Sequence, residues 1–183
     1  MKPHLIFALT STLFSSFAPT ADGAASVTLV PTGAIWRYLD NGSDQGSAWT
    51  APAFNDSSWP AGAAQLGYGD GDETTVINGG PANNRHPTTY FRRTFTAPDV
   101  ANVSALTLRL MRDDGAVVYL NGVEVHRNNM PGGFVSYLTY ASVTVSGADE
   151  FNFYSTEIDS SPLVQGANVL AVEIHRRPPP VQT

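Results

Sequence analysis

The stretch "LTLRLMRDDGAVVYLNGVEVHR", residues 106–127, decides the fold. Its first seven residues alternate, which in an extended chain places Leu106, Leu108 and Leu110 on one face and Thr107, Arg109 and Met111 on the other. An acidic pair and Gly115 interrupt the run, and Ala116–Leu120 resumes it. Asn121-Gly122 suits a two-residue type I′ turn, whose central positions both need positive φ. Such a turn pairs Leu120 with Val123, Tyr119 with Glu124, Val118 with Val125 and Val117 with His126. Val118, Leu120, Val123 and Val125 then share a core face, while Tyr119, Glu124 and His126 share the other. A slip of one residue would bury Glu124 and His126, so the register is well specified.

The acidic pair, Asp113-Asp114, admits three readings. Neighbours on a strand point to opposite faces, so both carboxylates reach one substrate only if a turn reorients them. With Gly115 behind them they fit a tight turn whose carboxylates accept backbone N–H groups. A polar ligand contact, shared with the adjoining Arg112, is the second reading, and acid–base catalysis a distant third.

Outward from this hairpin, short runs rich in Val, Leu, Tyr, Phe and Thr are punctuated by 16 Gly and 13 Pro. No apolar helical period persists, and strands are predicted over 26–31, 34–39, 89–96, 104–112, 116–120, 123–127, 136–145, 151–158 and 168–175. That pattern predicts an all-β sandwich or jelly roll. The first 25 residues have the form of a secretory leader, with Lys2, an apolar stretch from Leu5 to Phe17, and cleavage expected after Gly23 or Ala25. A single domain then covers 26–175, followed by an irregular tail over 176–183. The expected setting is extracellular or periplasmic.

Composition excludes several partners. A formal charge of −6 argues against nucleic acid and against an anionic membrane surface. The chain has no cysteine, so burial, or a metal, must hold the fold. Catalytic signatures are missing: no Gly-x-Ser-x-Gly elbow, no His-Glu-x-x-His and no phosphate-binding loop. His86, His126 and His175 are scattered, and a half-exposed strand histidine is the simpler reading of His126 beside Glu124.

Two features could bind. "GYGDGDE" could hold calcium through Asp70, Asp72 and Glu73, because hard cations take clustered oxygen ligands, and Asp40 and Asp44 of "DNGSDQG" form a second candidate. Solvated turns explain both loops as well. Aromatics on loops suit sugars, whose C–H faces stack on rings while their hydroxyls need polar partners. Trp36 and Trp59 are expected in the core, and Trp49 exposed; Tyr137 and Tyr140 follow Gly133. The candidate ligand residues are Trp49, Arg112, Asp113, Asp114, Tyr119 and His126.

"FNDSSWPAGAAQLGYG", "TYFRRTF", "RDDGAVVYLNGVEV" and "LVQGANVLAVEIH" together resemble galactose-binding-domain-like jelly rolls. They are similar to the sugar-binding domain of family-two glycoside hydrolases, and to accessory modules of secreted bacterial calcineurin-like metallophosphatases. The resemblance implies a non-catalytic β-sandwich that binds carbohydrate or glycan and is sometimes calcium-stabilised. Alternatively, the chain is a fragment of a secreted hydrolase without its catalytic domain, or a structural spacer. In such modules the "NVLAVEIH" strand is followed by a last strand; here "RRPPPVQT" follows, and proline cannot donate to a ladder. The final strand is therefore expected to be absent, leaving 168–175 with an unpaired edge.

Overall fold

The computed structural model describes residues 4–13, 25–69 and 71–178. Two antiparallel sheets face each other across one core. The strands, in chain order, are β1 (His4–Leu13), β2 (Ala25–Val30), β3 (Ile35–Leu39), β4 (Ala61–Ala63), β5 (Leu66–Gly67) and β6 (Thr75–Val76). They continue with β7 (Thr88–Ala97), β8 (Val103–Arg112), β9 (Gly115–Leu120), β10 (Val123–Asn128), β11 (Tyr154–Ile158) and β12 (Gly166–His175). The first sheet runs β11-β8-β1-β5-β6, with β2 also on β1; the second runs β10-β9-β12-β7-β3-β4. Among the described residues, only β5 and β6 pair in parallel. The all-β sandwich is the architecture that the alternating pattern predicted.

The core lies where the alternation puts it. Leu106, Leu108 and Leu110 of β8 are fully buried against Val118 and Leu120 of β9 and Leu170, Val172 and Ile174 of β12. Trp36 and Trp59 are buried as expected. Asn121 (φ 51°) and Gly122 (φ 87°) make the turn between β9 and β10. The Asn121 side chain also fastens that turn to β12, donating to Asn168 Oδ1 at 2.7 Å and accepting the Val169 N–H at 2.8 Å.

The hairpin register holds for two pairs and then changes. Val123 faces Leu120 and Glu124 faces Tyr119, but His126 faces Val118 and Arg127 faces Val117. A bulge between Glu124 and His126 takes up one residue, as bulges do on an edge strand, where only one ladder constrains the backbone. Val125 still packs on the core, whereas Val123, on the edge strand, is 51% exposed.

The expectation that residues 168–175 carry an unpaired edge is overturned. β12 is central, paired with β7 on one side and β9 on the other. Residues 136–145 form no strand either. Their backbone N–H groups bond to scattered partners, Ala141 to the Arg176 carbonyl and Ser142 to that of Asn129, so no ladder develops. The apolar stretch read as a leader is not set apart from the domain: His4–Leu13 runs antiparallel to β8 from the Leu5–Arg112 pair to the Leu13–Val103 pair. The leader's expected cleavage point after Gly23 falls outside the described residues.

Asp113 and Asp114 form the corner between β8 and β9, and both are buried. Asp114 accepts the Val145 N–H at 2.8 Å through Oδ1 and the Arg177 N–H at 2.6 Å through Oδ2. The carboxylate therefore caps backbone, as the turn reading holds, but the backbone belongs to segments remote in sequence. Asp114→Ala would strand two donors and is expected to cost about 2–3 kcal/mol of stability, read by denaturant unfolding. A second outcome follows from β1. A chain beginning at Ser26 would leave β8 with an open edge, a template for strand pairing. It is expected to melt at lower temperature than the full chain and to self-associate, as measured by calorimetry and sedimentation.

Candidate functional site

Part of the second sheet's outer face is covered. Tyr90 of β7, Tyr119 of β9 and Ala171 of β12 point away from the main core and pack with Trp49 and Trp59, which the segment between β3 and β4 lays over them. Trp49 stands 4.8 Å from the Tyr90 ring and 5.8 Å, edge-on, from Tyr119. Its expected exposure is thus corrected: it is 1% exposed, because the sheet's outer face is apolar enough to draw the indole down.

One side chain fastens that segment. Arg92, on β7 and 2% exposed, donates to the carbonyls of Trp49 and Ala51 and meets Asp56 at 2.8 Å. A guanidinium suits this role because its fork of donors can serve a carboxylate and two carbonyls together. Removing one partner of a buried pair leaves the other charge uncompensated. Asp56→Ala is expected to destabilise the protein by about 2–4 kcal/mol, with tryptophan fluorescence reporting the release of Trp49 at lower denaturant.

A second segment, residues 131–140, closes the other side. Tyr137 donates from its hydroxyl to the Gly42 carbonyl at 2.7 Å, joining the two segments, and Thr88 donates to the Tyr137 carbonyl at 2.6 Å. His175, fully buried on β12, places Nδ1 2.7 Å from the Thr139 carbonyl, so that nitrogen carries the proton.

Between the segments opens a cleft of about 410 Å³, within the size range of small-molecule sites. Trp49 and Tyr119 line its floor, and Asp44, Glu124, Arg127 and Glu173 supply its charged groups. Phe134, 89% exposed, stands at its rim. Glu173 is 5% exposed and accepts the Tyr119 hydroxyl at 2.7 Å; its other oxygen lies 3.3 Å from His175 Nε2. Arg127 is held by both oxygens of Glu124 at 2.8 Å and by the carbonyls of Pro131 and Gly133. Burial and the Glu173 carboxylate hold the Tyr119 phenol far above its ordinary range, so it acts as a donor throughout.

Of the six ligand residues expected from sequence, the cleft brings together Trp49 and Tyr119. His126 does not line it. The bulge turns His126 to lie opposite core-facing Val118 and presents Arg127 in its stead; burial lowers the His126 pKa against the opposing pull of Glu124. Arg112 is buried elsewhere, donating to Asn128 at 2.6 Å and lying over the Tyr154 ring, and Asp113 and Asp114 sit at the β8–β9 corner. Sequence reasoning missed Glu173, Arg127 and Phe134. The "VEIH" alternation did place Glu173 opposite the core face, which was the available signal.

The calcium candidates can be followed only in part. Asp70 lies outside the described residues, and Glu73 accepts the Gly71 N–H at 2.9 Å. Asp44 accepts the Gly46 N–H at 2.8 Å, the bond of an ordinary turn, whereas Asp40 accepts the N–H of Asn78, 38 residues on, at 2.6 Å and ties two loops together. Among the described residues no three His, Cys, Asp or Glu side chains gather as metal ligands would. No helix among them is long and apolar enough to cross a membrane.

No protein-family model matches this chain, and no curated protein does. Among solved structures, the Bifidobacterium dentium β-glucuronidase, solved with coumarin-3-O-glucuronide, is 20% identical with a TM-score of 0.47, over 80% of this chain and 20% of its own. A β-glucuronidase from an uncultured Clostridium sp. is 19% identical with a TM-score of 0.44, over 78% of this chain and 21% of its own. The chain thus spans about a fifth of the length of either enzyme.

Proposed function

We propose that this protein is a non-catalytic carbohydrate-binding module and that the cleft over the second sheet receives the sugar. The observation that carries the reading is the pairing of aromatic and charged groups within one cleft. Phe134 offers an unpacked ring at the rim, Tyr119 and Trp49 offer apolar floor, and Glu173, Glu124 and Asp44 offer acceptors for hydroxyls. Pyranoses ask for that mixture, since ring C–H groups stack on aromatics while each hydroxyl needs a partner.

Phe134 gives the cleanest test because it is almost wholly exposed, so its truncation should leave the fold intact. On a glycan array, followed by calorimetry with the best ligand, Phe134→Ala is expected to weaken binding at least ~5-fold with no change in melting temperature. Absence of any glycan binding at millimolar sugar would favour a structural spacer. Hydrolysis of a glycoside or phosphate ester by this chain would favour an enzyme.

A further inference from the structure

We infer that the sugar received by the cleft carries a free amine, a hexosamine-type ring whose ammonium lies against the Glu173 carboxylate; this rests on the carbohydrate reading above. The charged lining is three carboxylates, Asp44, Glu124 and Glu173, against one guanidinium, Arg127. That guanidinium is already committed. Its Nε and one terminal nitrogen serve the two oxygens of Glu124, and the other terminal nitrogen serves two carbonyls of residues 131–133. A ligand carboxylate or sulfate would therefore find no unengaged cation and would face two further carboxylates. Like charge in a partly desolvated cleft is strongly disfavoured.

Glu173 makes the opposite charge favourable. It is buried beside the cleft, where screening by water and salt is weak; its Oε1 accepts the Tyr119 hydroxyl and its Oε2 lies 3.3 Å from His175 Nε2. A carboxylate is an acceptor only, so whatever approaches it must donate, and an ammonium donates three hydrogens with a full charge. The tyrosines around the cleft register this negative field. Burial is the main cause raising the Tyr90, Tyr119 and Tyr137 pKa values, but Glu173 and Asp44 push Tyr90 the same way, Glu173 and Glu124 push Tyr119, and Asp44 pushes Tyr137.

The full chain should be titrated calorimetrically with glucosamine, N-acetylglucosamine, glucose and glucuronate, and with the galacto series, at a pH where the amine is protonated. The amine-bearing sugar is expected to bind roughly tenfold more tightly than its neutral parent and the uronate most weakly. The amine's advantage should persist as salt is raised, because a buried pair is little screened, and Glu173→Gln should narrow it. The comparison of amine-bearing, neutral and uronate sugars needs no variant, so the inference is tested even if that substitution fails to fold. Equal binding of amine and neutral parent, or tighter binding of the uronate, overturns the inference and leaves the carbohydrate reading standing. Failure of every sugar overturns both.

Discussion

The cleft and the segments that frame it depend on the Arg92 guanidinium, held under the chain between β3 and β4. A sandwich of two sheets normally buries the inner face of each and leaves the outer faces polar. Here part of the second sheet's outer face is buried as well, because Arg92 reaches the carbonyls of Trp49 and Ala51 and the carboxylate of Asp56. Those bonds press Trp49 and Trp59 onto Tyr90, Tyr119 and Ala171. Burying a charge this deeply is costly, and it persists because each of the three nitrogens finds an oxygen. The interaction is thus more a constraint than a source of stability. It specifies one position for a long loop that would otherwise have many.

From that constraint the cleft follows. With one segment pinned, the other needs only short ties: Tyr137 to Gly42, Thr88 to the Tyr137 carbonyl, and His175 to the Thr139 carbonyl. Their partners sit on β7, β12 and the pinned segment itself, so loop residues inherit the rigidity of the sheet. Binding by such loops loses little conformational entropy, which favours affinity even for a small ligand.

The sheet scaffold was legible in the sequence because alternation has a physical cause. The leucines of residues 106–110 and the run 170–174 could be placed facing the core from period two alone, and Asn121-Gly122 from its need for positive φ. What sequence concealed was decided by tertiary context. The bulge after Glu124 has no local signal, yet it exchanges His126 for Arg127 at the cleft. Residues 136–145 carry strand-forming side chains, yet their backbone N–H groups bond to scattered partners and form no ladder. Trp49 sits in a polar loop, and its burial follows from contacts distant in sequence, the Tyr90 and Tyr119 rings beneath it and Arg92, 43 residues away, on its carbonyl. Asp113-Asp114 was readable as a corner, but not that its carboxylate would hold segments as distant as Val145 and Arg177.

Glu173 illustrates why the site was harder to read than the fold. On β12 it stands between Val172 and Ile174, both buried in the main core, so alternation turns it outward, where a lone strand glutamate would ordinarily meet water. The loops that cover this face remove the water but leave a cleft beside the carboxylate. Tyr119 satisfies one oxygen, and the buried His175 approaches the other at 3.3 Å without a hydrogen bond to it. A carboxylate in this position is neither fully solvated nor fully paired. Because Glu173 also lines the cleft, the covering that stabilises the sheet's outer face places this glutamate where the proposed ligand would meet it.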